Sequence, residues 1–267
     1  MNFRSMLGRL GPERFDVLLT SGISGVGRFA SSVVALLAFP VILRKYGAEG
    51  TALWATVVSL TTFLSISDFG IGASAMNSIA RLYARGETNH IPQQVCNAFV
   101  AAALCAGVIG LVAFISWGLS SEFALGGWAQ RNKLTTVAIA AFAIPTLVGI
   151  PFSIVSRTQL AVGLGRVDAL WQLLGTVLMG LGYAGIRFID AGVWLPILIT
   201  CGAPATARCM QGISFALRHP GLRDVVPHQL QSWLVVAWKP SLLFFALQAL
   251  ATVAFSFDTL IVSTVLD

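Results

Sequence analysis

Two oppositely charged residues, Arg28 and Asp68, lie inside long apolar stretches of this sequence. An ionised side chain in the middle of a bilayer costs about 2.5–3.5 kcal/mol on insertion scales, so it normally faces a partner or a water-filled cavity. Each residue lies about eight positions from the predicted cytoplasmic end of its stretch, which corresponds to a depth of roughly 12 Å in a helix. We therefore predict that Arg28 and Asp68 approach one another in a cavity open to the cytoplasm. The alternative is a pair that only fixes helix packing.

Three further charged residues are candidates for ligand contacts. Arg157 and Arg166 flank the connection after the fourth apolar stretch, and a guanidinium group matches two phosphate oxygens at once. The enrichment of positive charge in cytoplasmic loops explains these two arginines equally well. Asp258 lies about eighteen residues into the seventh stretch, roughly two thirds of the way along a spanning helix. It could bind a coupling cation, or it could simply lie close to the outer lipid headgroups.

These charged residues are rare in a chain that is otherwise apolar. Hydrophobic residues make up 56% of its 267 residues, charged residues make up 10%, and the mean hydropathy is +0.81. A soluble protein carries about 25% charged residues, and a helix needs about 20 mainly apolar residues to span a bilayer. The predicted spans are Ser21–Leu43, Ala52–Ala75, Val95–Leu119, Leu134–Val155, Ala169–Ile189, Val193–Gln211 and Pro240–Leu266. We therefore predict an all-α, polytopic membrane protein with about seven transmembrane helices.

The distribution of basic residues predicts the orientation of these spans. With the amino end in the cytoplasm, the inner segments hold eleven of the 17 Lys and Arg residues and the outer segments hold five, while Arg28 lies within the first span. This bias follows the positive-inside rule. The formal net charge of +6 is therefore explained by topology, and no nucleic-acid partner is expected because the basic residues do not form one patch.

The polar residues and prolines between the apolar stretches predict that the chain is divided into four segments. Residues 1–20 form a cytoplasmic amino-terminal segment, and residues 21–211 form a lobe of six transmembrane helices. Residues 212–239 are predicted to be a cytoplasmic amphipathic linker, since prolines interrupt any continuous helix there. Residues 240–267 are predicted to be the first helix of a second, incomplete lobe. Six helices followed by one more would form one complete lobe of a two-lobe arrangement and the first helix of the other lobe.

The apparent signatures of enzymes, cofactor sites and metal sites in this sequence have simpler structural explanations. The Gly180–Gly185 segment matches the G-x-G-x-x-G pattern, but it lies within an apolar helix, where small residues favour close helix packing. The four cysteines show no C-x-x-C spacing and are expected to be small buried hydrophobic residues. The histidines have no ligand-spaced partners. We therefore predict no enzymatic activity, no cofactor and no metal.

Several short motifs resemble those of the polysaccharide flippases for O-antigen and exopolysaccharide. These flippases belong to the multidrug/oligosaccharidyl-lipid/polysaccharide exporter superfamily. One motif is the turn Tyr46-Gly47-Ala48-Glu49-Gly50, with Leu53-Trp54 after it. Others are Ser67-Asp68-Phe69-Gly70-Ile71-Gly72, then Asn77, Ile79-Ala80 and Arg85-Gly86, and later the run Phe257-Asp258-Thr259-Leu260-Ile261-Val262. The likeness covers about 50 residues in motif and most of the chain in layout.

The resemblance implies translocation of an oligosaccharide linked to polyprenyl pyrophosphate across the bacterial inner membrane, without covalent change, for lipopolysaccharide or other surface polysaccharide. Its partners would be the lipid-linked oligosaccharide, membrane lipids and other proteins of envelope polysaccharide assembly. Arg28 would then be a cavity cation, and Asp68 would tune its position. Alternatives are a multidrug or cation antiporter of the same superfamily, a non-transporting remnant, and a membrane-embedded transferase or polymerase, which would need a larger outer loop than the sequence offers.

Overall fold

The structure, a computed structural model, describes residues 12–64, 70–119, 136–219, 237, 239–247 and 250, with side chains for 19–59, 70–115, 137–219, 237, 239–247 and 250. Its helices are α1 (Pro12–Leu64), α2 (Ile71–Ala84), α3 (Ile91–Leu119), α4 (Thr136–Ala161), α5 (Gly165–Gly185) and α6 (Trp194–Arg218). Short 3-10 helices lie at Thr88–His90 and Ile186–Phe188, and residues 239–247 are also helical. No strand occurs in these ranges, which confirms the predicted all-α class.

The surface of the bundle is that of a membrane-embedded protein. Four helical segments are long and apolar enough to span a membrane: Leu19–Ser59, Thr88–Ile115, Val137–Ala161 and Gly165–Phe188. Large apolar side chains point outward, and those of Phe29, Leu36 and Phe114 are 73%, 74% and 75% exposed. The buried positions are instead rich in alanine. Small residues let helix backbones approach closely, and lipid solvates the large side chains, so this distribution suits hydrocarbon.

Helix α1 is divided at Gly47, whose backbone angles are φ 70° and ψ −174°. This conformation is essentially restricted to glycine, so the helix axis breaks there. The break yields two limbs, residues 12–46 and 48–64, which correspond to the separate first and second spans of the sequence prediction. The predicted second span continues into α2, and residues 65–69 between them lie outside the described residues.

The helices form two groups joined by α4 and α6. Helix α6 makes its most extensive contact with α4 and also packs on α5, which in turn packs on α1. Helices α2 and α3 pack on each other and on α4. Close approach depends on glycine: a Cβ on Gly175 would lie 3.3 Å from the Cβ of Ala207, and one on Gly182 would lie 2.8 Å from Ile199. The predicted packing role of the Gly180–Gly185 segment is thereby confirmed.

Hydroxyl groups in the helices are satisfied locally. In α4, the Thr146 hydroxyl donates to the carbonyl of Phe142 at 2.7 Å, and that of Thr158 donates to Ile154 at 2.8 Å. Such bonds within one helix remove the cost of placing a hydroxyl in hydrocarbon, where no water can pair with it. The polar contacts between helices are concentrated at the two ends of the bundle.

We call one of these the Lys45 end, where Lys45, Ile186 and Trp194 lie. The Lys45 ammonium donates to the backbone oxygens of Ile186, at 2.7 Å, and Ile189, and it lies 3.8 Å from the Asp190 carboxylate. The two backbone oxygens lie in the segment directly after α5, and a cation near the carboxyl-terminal end of a helix is favoured by the helix dipole. Lys45 therefore ties the first limb of α1 to the end of α5.

A second contact at the Lys45 end joins three helices through neutral groups. The indole N–H of Trp54 donates to Tyr183 at 3.1 Å and to Thr200 at 2.9 Å. The two hydroxyls lie 2.6 Å apart, and the Trp54 and Tyr183 rings meet edge to face at 6.3 Å. Trp54 and Tyr183 are both buried, so this triad fixes the second limb of α1 against α5 and α6.

The predicted linker begins later than expected. Helix α6 continues to Arg218, past the predicted boundary at Gln211, because no proline follows Gln211 before Pro220. The proline-containing part of the linker, residues 220–236, lies outside the described residues. Of the predicted seventh span, residues 240–247 and 250 are described and helical.

Candidate functional site

At the opposite end of the bundle, the Asp168 end, where Ala161, Gly165 and Arg218 lie, four side chains form what we call the amide–carboxylate cluster: Gln159, Asp168, Gln172 and Gln211. The Gln211 amide donates to the Asp168 carboxylate and to the Gln159 side-chain oxygen, both at 2.9 Å. The Gln172 amide donates to the other Asp168 oxygen at 2.8 Å. Asp168 is 2% exposed, Gln211 1% and Gln159 4%. The cluster therefore links α4, α5 and α6 through buried polar groups.

A tight turn between α4 and α5 positions the cluster. Gly163 adopts φ 80°, a left-handed conformation that costs a side-chain-bearing residue about 1–2 kcal/mol. The backbone oxygen of Gln159 accepts from the Leu164 N–H at 2.7 Å, which closes the turn. Gly165 then admits α1, since a Cβ there would lie 2.9 Å from the Thr20 methyl group. These short connections bring Gln159 and Asp168 to neighbouring helix ends.

The local field at Asp168 favours a charged carboxylate. Asp168 lies in the first turn of α5, where the partial positive charge of the helix amino terminus stabilises an anion. Its two oxygens accept from two different amides, and charge-assisted hydrogen bonds of this kind are the strong ones. A buried charge that lacked such partners would be very costly. The cluster is thus built to hold one negative charge inside the bundle.

Arg208 places a positive charge beside the cluster. It lies one turn before Gln211 on α6 and interacts electrostatically with Asp168 and Arg157. A Cβ on Gly149 would lie 3.4 Å from Nη1 of Arg208, so the missing side chain at Gly149 leaves room for the guanidinium. Among the residues that the structure describes, its guanidinium has no hydrogen bond or ion pair within 4 Å. Its donors are therefore available to a ligand anion.

The position of Arg208 in the structure corrects the count of cytoplasmic basic residues that was made from the sequence. That count assigned Arg208 to a cytoplasmic segment, whereas the residue lies within α6 and its guanidinium reaches Gly149 of α4. Gly149 precedes the end of α4 at Ala161 by about 18 Å, at ~1.5 Å per residue. Arg208 therefore lies partway along the bundle, with an exposed side chain, and ten inner basic residues rather than eleven support the predicted orientation.

The structure describes three of the five predicted site residues, and they differ in exposure and surroundings. Arg28 is exposed on α1 and its guanidinium has no hydrogen bond or ion pair to another described residue. Asp68 and Asp258 lie outside the described residues, so the Arg28–Asp68 pair and the coupling-cation site stay predictions. Arg157 is half-buried near the end of α4 within electrostatic range of Arg208. Arg166 is exposed in the first turn of α5. The structure thus brings Arg157, but not Arg28, towards the amide–carboxylate cluster.

Sequence reasoning missed Asp168, Arg208 and Gln211 as site residues. Asp168 directly precedes the predicted fifth span, and Gln211 ends the predicted sixth span, so both were attributed to the membrane boundary. Arg208 falls inside that sixth span, which was the available signal. Polar residues near span ends become informative only when several of them must meet at one end of a bundle.

The alternating directions of successive helices determine which helix ends meet. The end of α4, the start of α5 and the end of α6 must meet on one side of an antiparallel bundle, and they do so here. Comparisons with protein-family models, with curated proteins and with solved structures find no match to this chain.

Proposed function

We propose that this protein takes part in moving an oligosaccharide linked to polyprenyl pyrophosphate across the bacterial cytoplasmic membrane, for the synthesis of lipopolysaccharide or another surface polysaccharide. The observation that carries the proposal is the Arg208 guanidinium, which lies against Gly149 of α4 partway along an apolar helical bundle and has no hydrogen-bond or ion-pair partner among the described residues. The motifs around Gly47 and Gly70 support the same function, since they resemble those of polysaccharide flippases.

The physical problem in such transport is the pyrophosphate. Moving an isolated charge from water into hydrocarbon costs tens of kcal/mol in a simple dielectric picture. A guanidinium lowers this barrier because it presents several donors that match phosphate oxygens in pairs. The prenyl chain can stay in lipid throughout, so only the pyrophosphate and the sugars need a polar route.

Arg28 and Arg208 lie at comparable depths along α5. Thr20 and Val34 of α1 pack on Gly165 and Gly180 respectively, and Arg28 lies between these two contacts along α1.

Arg208 directly follows Ala207, which packs on Gly175. Both arginines therefore lie between the levels of Gly165 and Gly180. In the proposed topology the Asp168 end faces the cytoplasm, and both cations lie part of the way across the membrane.

A cation antiporter is a second candidate, and Asp168 is the observation that favours it. A buried carboxylate can bind a proton or a metal cation, as intramembrane acidic residues of transporters do. Both Asp168 oxygens, however, already accept amide hydrogen bonds. The carboxylate is therefore less available to a cation than the Arg208 guanidinium is to an anion.

Reconstitution into proteoliposomes distinguishes the two functions. The full-length protein should accelerate the movement of a fluorescent polyprenyl-pyrophosphate sugar between leaflets, measured as loss of fluorescence to an impermeant quencher. It should not exchange a cationic dye for protons. Equal leaflet exchange in liposomes with and without protein would refute the flippase proposal, and proton-driven dye exchange would establish the antiporter in its place.

Accessibility labelling tests the proposed orientation separately. A single cysteine near Ala48 should react with an impermeant thiol reagent from the periplasmic side, and one at Gly163 should react from the cytoplasmic side. Reaction of the Ala48 site from the cytoplasmic side alone would reverse the topology on which the proposal depends.

A further inference from the structure

A cleft lies between α2 and the helix of residues 239–247, and it shares no described lining residue with the amide–carboxylate cluster. The two helices meet at Gly70, which caps α2 with φ 73°. A Cβ there would overlap the backbone oxygen of Ser241 and would lie 3.0 Å from the Cβ of Phe244. Only glycine permits this approach, since the position has both a positive φ and no space.

Beyond this contact, the helices leave a cavity of about 560 Å³. Its described lining consists of Ser74, Asn77, Ala80, Arg81, Ala84, Pro240 and Phe244. The volume lies within the range of about 300–1,000 Å³ that is usual for small-molecule and lipid-headgroup sites. Of its lining residues, Arg81 lies in the last turn of α2.

The two walls of the cleft differ in polarity. The α2 wall carries Ser74, Asn77 and Arg81, which recur at intervals of three and four residues and so form one polar stripe. The opposite wall consists of Pro240 and Phe244. No acidic side chain occurs in the described lining, so the charge of Arg81 is not compensated within the cleft.

We propose that this cleft binds the phosphate group of an anionic membrane lipid. The Arg81 guanidinium and the Asn77 amide supply donors for the phosphate oxygens, and a hydrocarbon chain runs along Phe244. An amphipathic cleft with one cation on one wall and an aromatic side chain on the other suits a lipid better than a free ion, which has no use for the apolar wall. The inference does not depend on the proposed transport function.

Lipid retention by the purified full-length protein tests the proposal. The protein is delipidated in mild detergent, titrated with phosphatidylglycerol, and the bound fraction is measured by native mass spectrometry. Arg81→Gln should weaken binding at least tenfold, because it removes the charge-assisted hydrogen bond to the phosphate. Arg85→Gln is the matched control, since Arg85 follows in the same segment, is exposed, and is not part of the described lining.

A second variant and two other probes complete the design. Ala80→Phe should fill the cleft and weaken phosphatidylglycerol binding without any change of charge. Diacylglycerol, which lacks the phosphate, and inorganic phosphate, which lacks the chains, should each bind at least tenfold more weakly than phosphatidylglycerol. Equal losses in Arg81→Gln and Arg85→Gln would overturn the site in favour of general surface attraction. Binding of either probe as tight as that of phosphatidylglycerol would also overturn it.

Discussion

At the Lys45 end of the bundle, the buried hydrogen bonds between helices join the neutral side chains of Trp54, Tyr183 and Thr200, and the carboxylate that pairs with Lys45, that of Asp190, is fully exposed. At the Asp168 end they converge instead on a buried carboxylate, with a guanidinium beside it. Neutral triads fix geometry at small electrostatic cost, whereas a buried charge is expensive unless it is paired and is commonly kept for function. The difference is consistent with a structural role for the Lys45 end and with the proposed anion contact at the Asp168 end.

The comparison predicts that removal of a carboxylate lowers the stability of the protein more at the Asp168 end than at the Lys45 end. Asp168→Ala should lower the free energy of unfolding by about 3 kcal/mol, because it removes one hydrogen-bond partner of the buried Gln211 amide and takes a negative charge away from Arg208. Asp190→Ala at the Lys45 end should leave the stability unchanged, since Asp190 is fully exposed. Thermal unfolding in detergent measures both variants. Similar losses in the two variants would show that the ends do not differ in this way.

The helices were predictable from the sequence because hydrophobicity alone fixes where a chain can cross lipid. The predicted span Val95–Leu119 lies within α3 (Ile91–Leu119), and the separation of the first two spans corresponds to the break at Gly47. The amide–carboxylate cluster was not predictable in the same way. Its members lie near span boundaries, where hydropathy changes sign and carries no information about which helix ends meet.

Backbone geometry gives a second contrast between the ends. Gly47, with φ 70° and ψ −174°, and Gly163, with φ 80°, both have open space where the methyl group of an alanine would lie, so a substitution reports backbone strain alone. Gly47→Ala should cost about 2–3 kcal/mol, since its conformation is essentially restricted to glycine.

Gly163→Ala should cost only about 1 kcal/mol, and Gly163→Asn less, because asparagine tolerates the left-handed region. Gly47→Asn should show no such rescue. These variants are compared by thermal unfolding, and equal costs at Gly47 and Gly163 would indicate that the break in α1 is not held by glycine.

The smallest expected effect is at the neutral triad. Trp54→Phe removes one donor but leaves the 2.6 Å contact between Tyr183 and Thr200, so it should cost about 1 kcal/mol. Thermal unfolding and leaflet exchange should be measured on the same preparation. The variant should lose a little stability and retain its transport rate, whereas a large loss of transport at unchanged stability would place function at the Lys45 end as well.

The most direct test of the central claim compares Arg208→Gln with Arg218→Gln in the leaflet-exchange measurement. Both changes remove one exposed guanidinium from α6, but Arg218 lies in its last turn, whereas Arg208 lies ten residues earlier, against Gly149 of α4. We predict that Arg208→Gln lowers the rate of sugar-lipid movement about tenfold to a hundredfold, the equivalent of one charge-assisted hydrogen bond. Arg218→Gln should transport at the wild-type rate. A folded Arg208→Gln protein that transports as fast as Arg218→Gln would contradict the assignment of Arg208 as the cation that receives the pyrophosphate.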